Sequence, residues 1–133
     1  LLGGAGNDNL TGSTGADTFR WELSDRGTTT TPASDTITDF DLTANSDKLD
    51  LRDLLQGEQH AGSDSGNLGS FLHFELSGAN TVVKISTTGG FASGYNAGAV
   101  DQQITLNGVN LTAIGTDQQI IQNLLTNGKL IAD

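Results

Sequence analysis

Gly3-Gly4-Ala5-Gly6-Asn7-Asp8-Asn9-Leu10-Thr11 places glycines, an aspartate and a leucine at fixed offsets, and a looser copy, Gly12-Ser13-Thr14-Gly15-Ala16-Asp17-Thr18-Phe19-Arg20, follows without a gap. Glycine at Gly4 and Gly6 lets the backbone turn tightly with positive φ and turn its carbonyl oxygens outward. Ser13 and Gly15 hold the corresponding places in the second copy. Asp8 and Asp17 each add a hard anionic oxygen beside those carbonyls, a donor set that suits calcium. Leu10 and Phe19 then start short strands with their side chains inward. Leu1 falls at the apolar position of a preceding unit, so the expectation is a chain that begins inside an array and belongs to something longer.

The pattern G-G-x-G-x-D-x-U-x is that of a parallel β-roll that binds calcium in its turns. The fold expected is mainly β: roll coils continuing into a β-rich region with a packed C-terminal helix. Stepping on by nine residues from Asp17 meets Arg26, which breaks the pattern, and then Asp35, where Asp35-Thr36-Ile37-Thr38 again reads D-x-U-x. Two units make one coil, so Asp17 and Asp35 are expected on one edge, sharing an ion. Residues 27–34 form a polar loop, and a loop of any length could have landed Asp35 in phase. The expected metal-ligating set is Gly4, Gly6, Asp8, Ser13, Gly15, Asp17, Asp35 and Asp39. The competing role for such aspartates is local, a short carboxylate capping its own backbone in an Asx-turn.

At 133 residues the chain suits one domain with one core. The net charge of −10 is unevenly placed, because residues 1–66 hold twelve of the sixteen acids. A self-repelling acidic segment of this kind is expected to fold with a divalent cation. Six scattered lysines and arginines make no basic stripe, which argues against nucleic acid. Cysteine is absent, so no disulfide or thiolate site is available, and calcium is the natural staple outside a cell. No apolar run is long enough for a membrane helix.

The division expected is 1–40 as roll coils and 41–133 as a β-rich cap, in one continuous unit. Ile37 and Phe40 lie on opposite faces of a regular strand, so burying both requires a bend near Asp39. Leu51, Leu54 and Leu55 have helical spacing, and residues 56–69 read as a loop. The apolar runs 71–76 and 81–86 flank Ser77-Gly78-Ala79-Asn80 as a β-hairpin. Residues 89–98 form a glycine-rich loop, 103–106 a strand, and Asn107-Gly108 a tight turn into Val109-Asn110-Leu111. The last helix, over 117–127, is well specified. Thr116 and Gln119 form a capping box, Ile120, Ile121, Leu124 and Leu125 make one stripe, and Gly128 fits the C′ position. Residues 129–133 read as a short apolar tail.

The glycine repeat together with Asp35-Thr36-Ile37-Thr38-Asp39-Phe40 and Asp47-Lys48-Leu49-Asp50-Leu51 resembles the C-terminal region of RTX proteins exported by type I secretion systems. Gly69-Ser70-Phe71-Leu72-His73-Phe74-Glu75, Asn96-Ala97-Gly98-Ala99-Val100-Asp101-Gln102, Ile104-Thr105-Leu106-Asn107-Gly108-Val109 and Gln119-Ile120-Ile121-Gln122-Asn123-Leu124-Leu125 resemble the terminal secretion domain of giant bacterial adhesins, a group with biofilm and ice-binding members. The resemblance implies a secreted or cell-surface monomer whose partners are an ABC transporter, an adaptor, an outer-membrane channel and upstream RTX repeats of its own chain, and which folds outside on meeting calcium. Ser13 and the segment 21–34 depart from the repeat.

The function expected is therefore non-catalytic, a secretion signal and calcium-dependent folding cap. The alternative is a polysaccharide-binding or adhesive module attached to a secreted enzyme, with Tyr95, Trp21 and Arg20 along a polar groove, although Trp21 reads better as a core residue beside Phe19. An enzyme is disfavoured. The two histidines, His60 and His73, lie in no H-E-x-x-H motif, and there is no G-x-S-x-G elbow. His73, between Leu72 and Phe74, reads as a strand-surface residue.

Overall fold

The computed structural model describes residues 1–43, 46–59 and 66–132. Its first strands alternate between two sheets. Leu2 makes an isolated parallel bridge to Arg20. The next strands are β1 (Asn9–Leu10), β2 (Thr18–Arg20), β3 (Ala33–Ile37) and β4 (Lys48–Asp50), and successive strands fall in opposite sheets. A hairpin of β5 (Leu72–Ser77) and β6 (Asn80–Ile85) follows, then β7 (Gln102–Leu106), helix α1 (Asp117–Thr126) and β8 (Leu130–Ile131). The larger sheet runs β1-β3-β7-β6-β5 and the smaller β2-β4-β8. β1, β3 and β7 are parallel to one another, as are β2, β4 and β8, while β5 and β6 are antiparallel. The fold is mainly β, a roll with one C-terminal helix, and both sheets run through the boundary between residues 40 and 41.

Register explains the core. In the larger sheet Leu10 faces Ile37 and Ile37 faces Leu106. In the smaller, Phe19 faces Leu49 and Leu49 faces Leu130. These two apolar ladders point at each other and join Trp21, Leu51, Leu54, Leu72, Ile104, Ile120, Ile121 and Leu124 in one buried cluster. A parallel sheet buried on its inner side needs that continuity, since each coil covers the apolar edge of its neighbour. Ile37 and Phe40 are both buried, and β3 stops at Ile37, so the chain bends where alternation required it.

The coil length is not constant. Leu2 meets Arg20 after eighteen residues, the expected two units. Leu10 meets Ile37 only after 27, and Phe19 meets Leu49 after 30. The excess lies in the polar excursion between β2 and β3, which carries a 3-10 turn over Leu23–Asp25, and in the turn between β3 and β4.

The later elements follow local signals. Ser77 pairs with Asn80 across Gly78 (φ 62°) in the hairpin. Helix α1 has its complete Thr116/Gln119 capping box. It ends in a Schellman motif: Gly128, at φ 67°, donates its N–H to the Leu125 carbonyl, and the Lys129 N–H donates to Leu124. The helix packs on β5 and β8 and so covers the end of the roll away from Leu2.

Two segments take places the sequence did not specify. After the turn at Asn107-Gly108, Val109-Asn110-Leu111 stays outside the sheet, because β7 is already paired on both sides, with β3 and with β6. The Val109 carbonyl and Leu111 N–H close instead on the Thr81 hydroxyl. Leu130 and Ile131 are not a loose tail but β8, paired in parallel with Leu49 and Asp50. The loop expected over 56–69 ends in a 3-10 turn at Leu68–Ser70 that buries Leu68. His60 lies outside the described residues.

Candidate metal centre

The two glycine turns have the same backbone. Gly4 and Gly6 sit at φ 85° and 104°, and Ser13 and Gly15 at φ 70° and 93°. Ser13 is the only non-glycine residue with positive φ among those described, so the repeat geometry prevails over the side chain's preference. The first glycine of each unit makes room for the aspartate. A Cβ on Gly3 would stand 2.8 Å from Asp8 Oδ2, and one on Gly12 would stand 2.4 Å from Asp17 Oδ2.

The aspartates form two short ladders. The Asp8 N–H donates to Asp35 Oδ1 at 2.8 Å, and the Asp17 N–H donates to Asp47 Oδ1 at 3.0 Å. The expected pairing of Asp17 with Asp35 is thereby corrected. Loop insertion lengthens the second coil, so Asp35 stands over Asp8 on the opposite edge, and Asp47 takes the place over Asp17. Asp35 is also fully buried. Its Oδ2 accepts from the Trp21 indole N–H at 2.7 Å and from the Gln102 amide at 2.9 Å, which makes it an interior anchor. Asp39 does lie beside the second turn, where its two oxygens accept the N–H groups of Gly12 and Ser13 at 2.9 and 2.7 Å. It therefore fastens that turn to the next coil. Asp47 Oδ2 accepts the Asp41 N–H at 2.9 Å. Asp41 and Asp47 are the residues that sequence reasoning missed, although Asp47-Lys48-Leu49 repeats the D-x-U signal of Asp17-Thr18-Phe19.

Asp8 Oδ2 and Asp17 Oδ2 are buried with no hydrogen-bond partner, and the only other such side-chain atom among the described residues is Gln102 Oε1. A buried carboxylate oxygen without a donor costs upwards of about 1–3 kcal/mol, more when charged, so each turn is complete only with a cation. Among the described residues no three His, Cys, Asp or Glu side chains converge. The donor set on offer is one carboxylate per turn plus main-chain carbonyls, all hard oxygens, which fits calcium. Calcium would be held by Asp8 with the carbonyls of the Gly3–Asn7 turn, and by Asp17 with those of the Gly12–Ala16 turn, supplying the positive charge that neutralises each carboxylate.

No family model matches the sequence, and no curated protein matches it. Among solved structures the chain is similar to the AlgE6R2 subunit of the Azotobacter vinelandii mannuronan C5-epimerase, an RTX-type β-roll module, with 32% identity over 89% of this chain and 67% of that one, at a TM-score of 0.54. The chain belongs to the RTX-type β-roll modules. The alternation of strands, the Gly turns and the orphaned aspartate oxygens of this RTX roll are one consistent arrangement.

The remaining residues singled out in the sequence lie elsewhere on the roll. Trp21 is buried, with its indole on Asp35, so it lines no surface groove with Tyr95. Arg20 is exposed and pairs with Asp53 at 3.3 Å. His73 lies half-buried on β5, where its ring stacks on Tyr95 with centroids 3.9 Å apart. Its Nδ1 is 2.6 Å from Asp117 Oδ2, and Asp117 Oδ1 accepts the Phe74 N–H, so this cluster pins the start of α1 to the sheet. Burial, followed by the neighbouring Glu75 carboxylate, pushes the Tyr95 hydroxyl above its usual pKa. Among the described residues no helix is long and apolar enough to cross a membrane.

Proposed function

We propose that this chain is a non-catalytic, calcium-folded module that closes the C-terminal end of an RTX roll in a secreted protein. The observation that carries this reading is the pair of orphaned oxygens on Asp8 and Asp17, each folded over a glycine turn. The two ends of the roll differ in a way that supports it. At the Leu2 and β1 end both sheets expose parallel edges beside the exposed Leu1 and Leu2, where a further RTX coil fits, whereas α1 covers the other end. Without calcium the acidic, glycine-rich turns repel one another and stay extended, a form able to thread a channel; with calcium they close. Calorimetry tests the metal. Wild type is expected to take up calcium and the Asp8→Asn, Asp17→Asn double variant to lose that uptake, while equal uptake by both would sink the assignment.

The export role rests on the resemblance of the last helix and flanking segments to type I secretion domains of large adhesins. Its test is secretion of the chain with residues 117–132 deleted, compared with a Leu124→Asp, Leu125→Asp variant, in a host carrying the transporter, adaptor and outer-membrane channel. Loss of export in the deletion alone supports a terminal signal, and undiminished export of the deletion refutes it. A second reading, a module attached to a polysaccharide-modifying enzyme, is favoured by the likeness to the epimerase subunit. Titration with mannuronan oligomers followed by amide chemical shifts separates the two, because the buried Trp21 would report poorly on a surface ligand.

A further inference from the structure

The second coil satisfies its oxygens without a metal. Asp35 and Asp47 occupy the ladder positions above Asp8 and Asp17, yet their Oδ2 atoms are supplied by the Trp21 indole and Gln102 amide, and by the Asp41 N–H. What remains are the carbonyls of Asp41 and Thr43, before Asp47. Ser46 Oγ lies 2.6 Å from the carbonyl oxygens of both Asp41 and Thr43. Into this group reaches Lys129, whose ammonium donates to Ser46 Oγ at 2.9 Å and to the Thr43 carbonyl. Lys129 is only 3% exposed. A lysine is seldom fully buried unless its charge is met, and here, among the described residues, it is met by a hydroxyl, a carbonyl and the adjacent acidic turn rather than by a paired carboxylate. Its backbone is fixed from both sides, by the Schellman bond to Leu124 and by the Leu49 N–H, which donates to its carbonyl at 2.7 Å.

We propose that the Lys129 ammonium is a built-in cation, standing in the last turn of the smaller sheet's edge where the first coil requires calcium, so that the metal requirement ends after one coil. The inference rests on the calcium reading of the first coil. The position is set by the fold: the ammonium meets oxygens of the turn that precedes Asp47, as the first coil's cation would meet those of the turn that precedes Asp17. An ammonium offers three donors, of which two are seen on the Thr43 carbonyl and Ser46 Oγ, and needs no free ion. The helix that carries Lys129 into place is also the one that covers the end of the roll, so closing the roll and ending its metal requirement are one event.

The test compares wild type, Lys129→Ala, Lys129→Met and Lys129→Arg in calcium and in EDTA, by melting temperature and by calorimetric calcium stoichiometry. Lys129→Ala, which empties the space, is expected to take up one additional calcium per chain and to lose more melting temperature in EDTA than in calcium, whereas Lys129→Met, which fills the space, is expected to lose equally in both. Lys129→Arg should keep the wild-type stoichiometry. Equal destabilisation of Lys129→Ala in both media with unchanged stoichiometry overturns the proposal, as does a Lys129→Ala chain that is unfolded in both. The wild-type arm reports separately on the first coil: wild type that takes up no calcium defeats the reading beneath the proposal, whereas normal wild-type uptake with an unchanged Lys129→Ala stoichiometry defeats the proposal alone.

Discussion

At the scale of single residues, the two glycine turns are alike in backbone and unlike in surroundings. Asp17 shares its edge with Asp39, Asp41 and Asp47, whereas the acid over Asp8 is Asp35, whose charge is already spent on Trp21 and Gln102. Asp17→Asn is therefore expected to weaken calcium affinity more than Asp8→Asn, by roughly tenfold or about 1.4 kcal/mol, since more negative charge surrounds the ion there. Calorimetry giving the reverse order would refute the assignment. The glycines permit a subtler test that leaves every ligand in place. Gly12→Ala drives a Cβ into the whole carboxymethyl group of Asp17, with Oδ2, Cγ and Cβ at 2.4, 2.7 and 3.0 Å, while at Gly3 the nearest atom is 2.8 Å away. Gly12→Ala should thus cost more calcium affinity than Gly3→Ala, read in the same titration. Away from the turns, Asp50 is held below the usual carboxylate pKa, chiefly by its hydrogen bond from Arg52 at 2.7 Å. Its folded pKa is depressed, so its contribution is complete above the unfolded value near 3.9 and is lost as the pH falls through the folded one. Asp50→Asn should flatten the acid limb of the stability curve below about pH 4, as seen in urea melts at stepped pH. The D-x-U triplets were all visible in the sequence; their partners were not, because a polar excursion of unknown length separates the coils.

Among elements, those written in local chemistry were legible and those made by distant pairing were not. The hairpin announced itself through Gly78 between two alternating runs, and α1 through Thr116, Gln119 and Gly128. β8 carries no such sign. Leu130 and Ile131 become a strand only because β4 offers a free parallel edge, while Val109 to Leu111 remain outside the sheet because β7 offers none. Gly128 joins these cases: its φ of 67° lets the chain leave α1 directly into Lys129 and β8. Gly128→Ala is expected to destabilise the fold by about 1 kcal/mol, the cost of placing a Cβ in the left-handed region. Equilibrium urea unfolding checks this, and an unchanged midpoint would show that the Schellman turn does not govern how β8 docks.

Across the whole molecule, satisfaction of buried carboxylates is graded along the roll. The first coil holds the two unpartnered carboxylate oxygens, the second coil meets its oxygens with indole, amide, backbone and ammonium donors, and the hairpin and helix bury Leu72, Ile85, Ile104, Ile120 and Ile121 in the shared core. Removing calcium should accordingly unravel one end only. Residues 3–18 would lose protection, because two uncompensated carboxylates beside turns of positive φ favour the extended, solvated chain. β5, β6, β7 and α1 should hold, since their hydrogen bonds and apolar contacts include no metal ligand. The opening is local, so its free energy is set by the first coil and lies below that of global unfolding. Hydrogen exchange in calcium and in EDTA measures this directly: the Gly3–Thr18 amides should exchange far faster in EDTA, with little change over Leu72–Leu106. Equal protection of the glycine turns in both media would mean that Asp8 and Asp17 are stabilised by something other than a cation. Loss of protection throughout would mean that the second coil and the helix cannot stand without the first.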